Sequence, residues 1–367
     1  MKKIKLFSFF AGCGFLDLGF ELNGYDIELV NEFSPTFLQA YQYSRSKMNL
    51  HQPKYGYYQG DINDYLHEKA DELKDYVKDA REDGSVIGFI GSPPCPDFSV
   101  AGKQKGKEGE NGKLSLSYIQ LVLEQQPDFF LFENVKGLWR TKKHRDFYEE
   151  LKEMLTAGGY YLTDRLTNAR EFLTPQDRDR ILLFGINSKK FPQEAIHRFN
   201  WTKYASFTPY YISQIPWPTV DDFHIDGELA CPDGVPKELT VEYWFRKNDV
   251  EHHPNGKDCF APRAGISKMV AIQEGDDCKK SYKRLHRWRY SPTVAYGNNE
   301  VHLHPYKARR LTVAEALALQ SLPTEFALPP EMSLTDKFKT VGNGVPYLLA
   351  AGVARSIHDF VGEEYHG

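Results

Sequence analysis

The sequence predicts an α/β protein, a nucleotide-type, Rossmann-like sheet carrying a smaller, loop-rich, partly β second domain. Three observations carry that expectation. Apolar runs recur between helical stretches, at residues 5–10, 26–32, 86–90, 128–135 and 181–186, and most read as strands buried on both faces. The first run opens directly into the glycine turn Gly12-Cys13-Gly14 and an amphipathic segment, the start of a nucleotide-binding unit. From about Lys189 to Pro305 that regularity stops, and prolines, aromatics and irregular polar runs take over.

At 367 residues the chain is long enough for one large core and a second smaller unit. No stretch is apolar for long enough to span a bilayer, and the start lacks the pattern of a signal peptide, so a cytoplasmic protein without membrane contact is expected. Five scattered cysteines (Cys13, Cys95, Cys231, Cys259, Cys278) suit a reducing compartment and have no metal-ligand spacing, so no metal is expected. The net charge of −4 hides an uneven distribution. Between Lys279 and Arg310 the only acid is Glu300, while lysines and arginines alternate with Trp288, Tyr290 and Tyr296. Such a run is usually a solvated face, and it gains meaning only beside matching chemistry.

Taken in order, the elements sharpen the picture. In a dinucleotide fingerprint a third glycine would occupy position 17, and Asp17 there would repel a pyrophosphate. A carboxylate suits a cofactor with an amino group instead. Glu32 ends the second strand about 20 residues after the turn, either as a ribose acceptor or as an acid at a helix entry. Asp61 is an N-cap or an acceptor for an exocyclic amine. The strand at 86–90 leads into Pro93-Pro94-Cys95, which places a thiol at a sheet rim, followed by a glycine-punctuated basic loop through Ser99, Lys103 and Lys105. A helix follows from about Leu114 to Gln125.

The strand at 128–135 ends in Glu133, which should lie beside the thiol if the two strands are parallel neighbours. An acid in an apolar rim has a raised pKa and can donate a proton, although a capping glutamate would look the same. In Gln176-Asp177-Arg178-Asp179-Arg180, alternation puts both arginines on one face, suited to a carbonyl oxygen or to carboxylates, or else to surface ion pairs. Thr312 and Glu315 form a capping box for a helix at 311–320, and Gly342-Asn343-Gly344 precedes a last helix at 347–360 whose apolar face should return to the first domain.

The ordered set Phe10-Ala11-Gly12-Cys13-Gly14, Glu32, Asp61-Ile62, Pro94-Cys95, Glu133-Asn134-Val135, Gln176 to Arg180, Arg310-Leu311-Thr312 and Gly342-Asn343 resembles the cytosine-5 DNA methyltransferases. The likeness is to single-domain enzymes of restriction-modification systems and covers the whole chain. It implies S-adenosyl-L-methionine as cofactor, double-stranded DNA as partner, a monomer, and in some cells a restriction endonuclease sharing the site. It implies further that Phe10, Gly12, Gly14, Asp17, Glu32, Asp61, Ile62, Pro94, Leu114 and Asn343 line the cofactor pocket. Cys95 would be the nucleophile, Glu133 would meet the cytosine N3 edge and Arg178 its O2, and Arg180 would help hold loop and base. Ser99, Lys103, Lys105, Arg284, Arg287, Arg289 and Thr293 would face DNA.

The implied layout is a catalytic domain at 1–188, a target-recognition domain at 189–325, and a returning segment at 326–367. Leu173 and Ser321 depart from the pattern, standing where the family often has glycine. A tRNA-methylating relative of the same fold, a silent DNA-binding relative and a nicotinamide oxidoreductase are the alternatives. The intact Cys95, Glu133, Arg178 and Arg180 set opposes the silent relative, and Asp17 opposes the oxidoreductase.

Overall fold

The computed structural model describes residues 2–94, 110–262, 265–279, 281–294 and 301–366. Seven strands form one sheet: β1 Ile4–Phe9, β2 Tyr25–Glu32, β3 Tyr57–Gln59, β4 Val86–Gly91, β5 Phe129–Val135, β6 Tyr160–Asn168 and β7 Asp179–Asn187. Their spatial order is β3-β2-β1-β4-β5-β7-β6, with the first five parallel and β7 antiparallel to both β5 and β6. The apolar runs expected as strands are strands, and β1 and β4 are buried along their whole length.

Each sheet face buries its own set of helices. On one face Leu16 and Phe20 of the helix Phe15–Glu21 and Leu349, Val353, Ile357 and Phe360 of the last helix, Tyr347–Glu364, pack on Ile4, Leu6, Ile90 and Phe129. The Tyr25 hydroxyl donates to the Ala354 carbonyl at 2.7 Å, tying that last helix to β2. On the other face Leu73, Val77, Tyr118, Val122, Phe147 and Leu151 cover Phe7, Phe9, Phe89, Phe130 and Phe132. Packing on the sheet continues past residue 188, because Phe191, Phe199 and Trp201 join Phe184 and Phe360.

Beyond about residue 206 regular structure thins out. The paired strands Lys283–Arg284 and His302–Leu303 have two residues each, and the apolar clusters around them are small. The helix Val313–Leu319 begins at the expected capping box, with Glu315 N–H donating to Thr312 Oγ1 at 3.2 Å and Thr312 N–H to Glu315 Oε2 at 2.8 Å. Leu173 and Ser321 sit at φ +60° and +55°, the left-handed conformation that favours glycine. Leu173 is held there by packing near Ile215 and Leu239, and Ser321 by hydroxyl hydrogen bonds to Thr174 and the Leu348 N–H. Among the described residues no helix is long and apolar enough to cross a membrane.

Candidate active site

Parallel register brings several strand ends to one edge. Phe9 lies opposite both Asn31 and Gly91, and Gly91 lies opposite Phe132. Phe10, Glu32, Ser92 and Glu133 therefore emerge side by side, and they line a cleft of about 1290 Å³. Open α/β sheets present ligand sites at such carboxyl ends.

At one end of the cleft the glycine turn and the end of β2 are joined. Gly12 adopts φ +57° and its N–H donates to Glu32 Oε2 at 2.7 Å, while Glu32 Oε1 accepts the Ser34 N–H at 2.8 Å. Burial raises the Glu32 pKa, with the Ser34 and Gly12 N–H groups opposing that shift. Asp61 does cap the turn Ile62–Leu66, accepting the Asn63 N–H at 2.9 Å, and it also faces the cleft. The anticipated cap is present, and it leaves the Asp61 side chain on the cleft wall. Phe10, at φ +53°, and Ile62, Pro94, Leu114 and Asn343 line the same space. Phe33 does too, with 70% of its surface exposed, although nothing in the sequence pattern singled it out beyond its place after Glu32.

Gly14 and Asp17 lie elsewhere, and this corrects the expectation for both. Asp17 is 1% exposed and turned beneath the helix, accepting from the Tyr41 hydroxyl at 3.0 Å. Arg45 stands beside it, paired with Glu21 at 2.6 Å and donating to the Gly14 carbonyl at 2.6 Å. Burial raises Asp17 to about 6, against the pull of Arg45. A Cβ at Gly14 would collide with Tyr41 and Arg45, so this glycine makes room for the brace instead of for a ligand. The carboxylate answers a buried guanidinium that arrives from the helix Pro35–Lys47.

At the other end, Glu133 and Arg180 form an ion pair, Nε to Oε1 at 2.7 Å, with both side chains largely buried and both on the cleft wall. Antiparallel pairing of β5 with β7 causes this, because Val135 lies opposite Arg180. The alternation holds: Arg178 and Arg180 point inward, while Asp177 and Asp179 point outward and share the amide of Asn168 at 2.7 and 2.8 Å. Arg178, expected to meet a carbonyl of the substrate, instead donates to carbonyls of its own chain, at Gly342, Gly344 and Val294. Cys95, Ser99, Lys103 and Lys105 lie outside the described residues, and Pro94, the last residue before them, lines the cleft.

Of the three arginines expected to face DNA, Arg284 and Arg287 are buried and Arg289 is half-buried, and all three are engaged within the chain. Arg284 is fully buried and donates to the carbonyls of Met269, Ile272, His304 and Lys307. Arg287 clasps Glu274 with two nitrogens at 2.9 and 2.8 Å, and Arg289 ties the Thr219 and Gly275 carbonyls to Asp277. Each satisfies loop backbone that has no ladder partner. Thr293 does line the cleft, its hydroxyl bonded to the Asp177 carbonyl. Lys283 of the basic run lines it as well, as do Lys113, Lys136 and Arg140, which sequence reasoning passed over.

A mostly parallel sheet with one reversed strand, opening on a cleft with a glycine turn and buried acceptors at one end and an acid–arginine pair at the other, is the architecture of the α/β methyltransferases. Within it the chain belongs to the C-5 cytosine-specific DNA methylases, whose family model matches residues 4–359. It is 55% identical over 365 residues to the type II methyltransferase M.NmeDI of Neisseria meningitidis serogroup C, covering 99% of this chain and 86% of that one. It is 35% identical to the type II methyltransferase M.XorII of Xanthomonas oryzae pv. oryzae, over 95% of this chain and 83% of the relative. A solved prophage-encoded protein of E. coli has the same fold, with TM-score 0.68 at 20% identity over 98% of this chain and all of the other. The S. pombe Dnmt2 methyltransferase gives TM-score 0.59 at 12% identity, over 98% and 99%.

Proposed function

We propose that this DNA cytosine-5 methyltransferase acts on duplex DNA as the modification enzyme of a restriction-modification system, through a covalent adduct on Cys95. The relatives' names as type II methyltransferases support the biological setting. The observation that carries the chemistry is the Glu133–Arg180 pair at the sheet edge where Pro94 hands the chain to Cys95.

The cleft suits S-adenosylmethionine by its donor set. Glu32 retains acceptor capacity for ribose hydroxyls after its two N–H bonds, Asp61 offers an acceptor to an amine, and Phe10, Phe33 and Ile62 supply apolar surface for a flat ring. When bound, the cofactor supplies an electrophilic methyl group. The residues of the chain do the rest. Carbon 5 of cytosine is a poor nucleophile until a thiolate adds to carbon 6, and Cys95 makes that bond. Glu133 engages the N3 edge as electron density moves into the ring, and Arg180 fixes the Glu133 carboxyl and borders the base. After transfer, a base removes the proton from carbon 5, the Cys95 sulfur leaves carbon 6, and the aromatic ring returns. The target must first leave the stack, which costs a few kcal/mol, so the cleft has to hold an extruded base.

Incubation with radiolabelled S-adenosylmethionine and either duplex DNA or tRNA tests the reading, with bisulfite sequencing to locate the product. Label at carbon 5 of cytosine within one duplex sequence is expected. Label in tRNA alone, or in no nucleic acid, overturns it.

A further inference from the structure

Guanidinium carries five N–H donors, and the four terminal ones of Arg178 all face acceptors in its own chain. Nη2 donates to the Gly342 carbonyl at 2.7 Å and the Gly344 carbonyl at 2.8 Å, and Nη1 to the Val294 carbonyl at 3.2 Å and Gln176 Oε1 at 3.4 Å. The residue is 1% exposed. These acceptors come from separate parts of the molecule: Gly342 and Gly344 flank Asn343 in the wall of the cofactor end, and Val294 belongs to the second unit next to cleft-lining Thr293.

Gln176 and Gln320 widen the connection. Gln176 Nε2 donates to the Leu319 carbonyl at 3.0 Å, its Oε1 accepts the Val294 N–H at 3.3 Å, and Gln320 Nε2 donates to the Val341 carbonyl at 2.6 Å. Arg178, Gln176, Val294 and Gln320 are buried, whereas Gly342 and Gly344 are half-buried at the cleft wall.

We propose that Arg178 is a positioning residue, coupling the seat of DNA on the second unit to the shape of the cofactor end of the cleft, in place of binding the base. The inference rests on the reading of this cleft under Proposed function. A planar fork cannot follow Val294 without tilting its other pair of donors, which hold the two carbonyls around Asn343. Letting go of one buried acceptor leaves it unsatisfied, so the network shifts as a unit. DNA pressing on Thr293 would thereby be felt where the cofactor sits, and linkage makes the effect reciprocal. Arg180, paired with Glu133, is left as the arginine that faces the base.

The test is calorimetric, on the full chain, with S-adenosylhomocysteine as probe and a duplex that the wild type methylates. In the wild type the duplex should tighten the probe by about tenfold or more. In Arg178→Lys, whose ammonium cannot span the fork, that ratio should fall below about threefold, whereas Arg180→Lys should keep it. A wild-type ratio near one, or an undiminished ratio in Arg178→Lys, overturns the proposal. A wild type that methylates no duplex overturns the underlying functional reading instead. If Arg178→Lys does not fold, Gln320→Met severs the neighbouring strut and should shrink the same ratio, and an unchanged ratio there also overturns the proposal.

Discussion

The sheet edge supplies most of the cleft, the loop-rich second unit proposed after residue 188 adds Lys283, Thr293 and Val294, and the two are held together by opposite chemistry. In the sheet, ladders satisfy the backbone, and the side chains of β1, β4 and β5 are buried and mostly apolar. The second unit has two strands of two residues among its described part, and its stray carbonyls are gathered by arginines. One guanidinium does there what a neighbouring strand does in the sheet. An arginine-rich stretch in a loop-rich unit therefore measures first how many loops need tying, and only then how many phosphates are near.

That contrast can be broken or sharpened experimentally. The largest effect belongs to the sheet edge: Cys95→Ser should abolish methyl transfer while S-adenosylmethionine binding stays within about threefold, read by a radiolabel assay beside calorimetry. Full turnover by that variant would end the assignment. Next comes stability. Leu6→Ala, deep in the sheet, should cost about 2–5 kcal/mol and be mostly rescued by Leu6→Met. Arg284→Met, which strands four carbonyls, should cost about 3 kcal/mol or more, with no rescue by lysine. Urea melts decide between them, and equal rescue on both sides would erase the contrast.

A smaller loss is expected from Glu133→Gln, about 10²-fold in kcat with cofactor affinity preserved, measured in single-turnover transfer. An unchanged rate would remove Glu133 from the chemistry. The smallest effect is pH-dependent. Burial raises Asp17 from the ordinary 3.8 to about 6, so the folded state holds this proton more tightly than the unfolded chain does. Its contribution is full below about pH 4 and is lost as pH climbs through about 6, a change of order 3 kcal/mol. Asp17→Asn does not titrate, so its melting temperature should gain on the wild type between pH 4 and pH 7. A pH-independent difference would show that Asp17 keeps its ordinary pKa.

Where the physics is local, sequence reading worked. Strands buried on both faces write themselves as unbroken apolar runs, which is why β1, β2, β4, β5 and β7 were legible. β6 was not foreseen, because it is an edge strand of mixed, half-exposed residues from Tyr160 to Asn168. The capping box at Thr312 and the inward pair Arg178 and Arg180 depend only on spacing, and they appear as expected. Asp17 misled because its partner, Arg45, comes from another helix, and a carboxylate at a glycine turn looks the same whether it faces ligand or interior. Arg284, Arg287 and Arg289 misled for the same reason, since charge along a chain does not reveal which way it points. Leu173 and Ser321 show the converse: the odd residues at glycine positions were visible, but the left-handed backbone beneath them was not.

The reversed direction of β7 has a practical consequence. Glu133 arrives at the rim as β5 ends and Arg180 as β7 begins, so the stretch from 136 to 178, edge strand β6 included, starts and finishes at one place. The far bend of that stretch, at Gly158 and Gly159, is pinned instead by Leu123, Gln126 and the Ser188 N–H, so a change there is absorbed at the opposite rim of the sheet, away from the acid and its arginine.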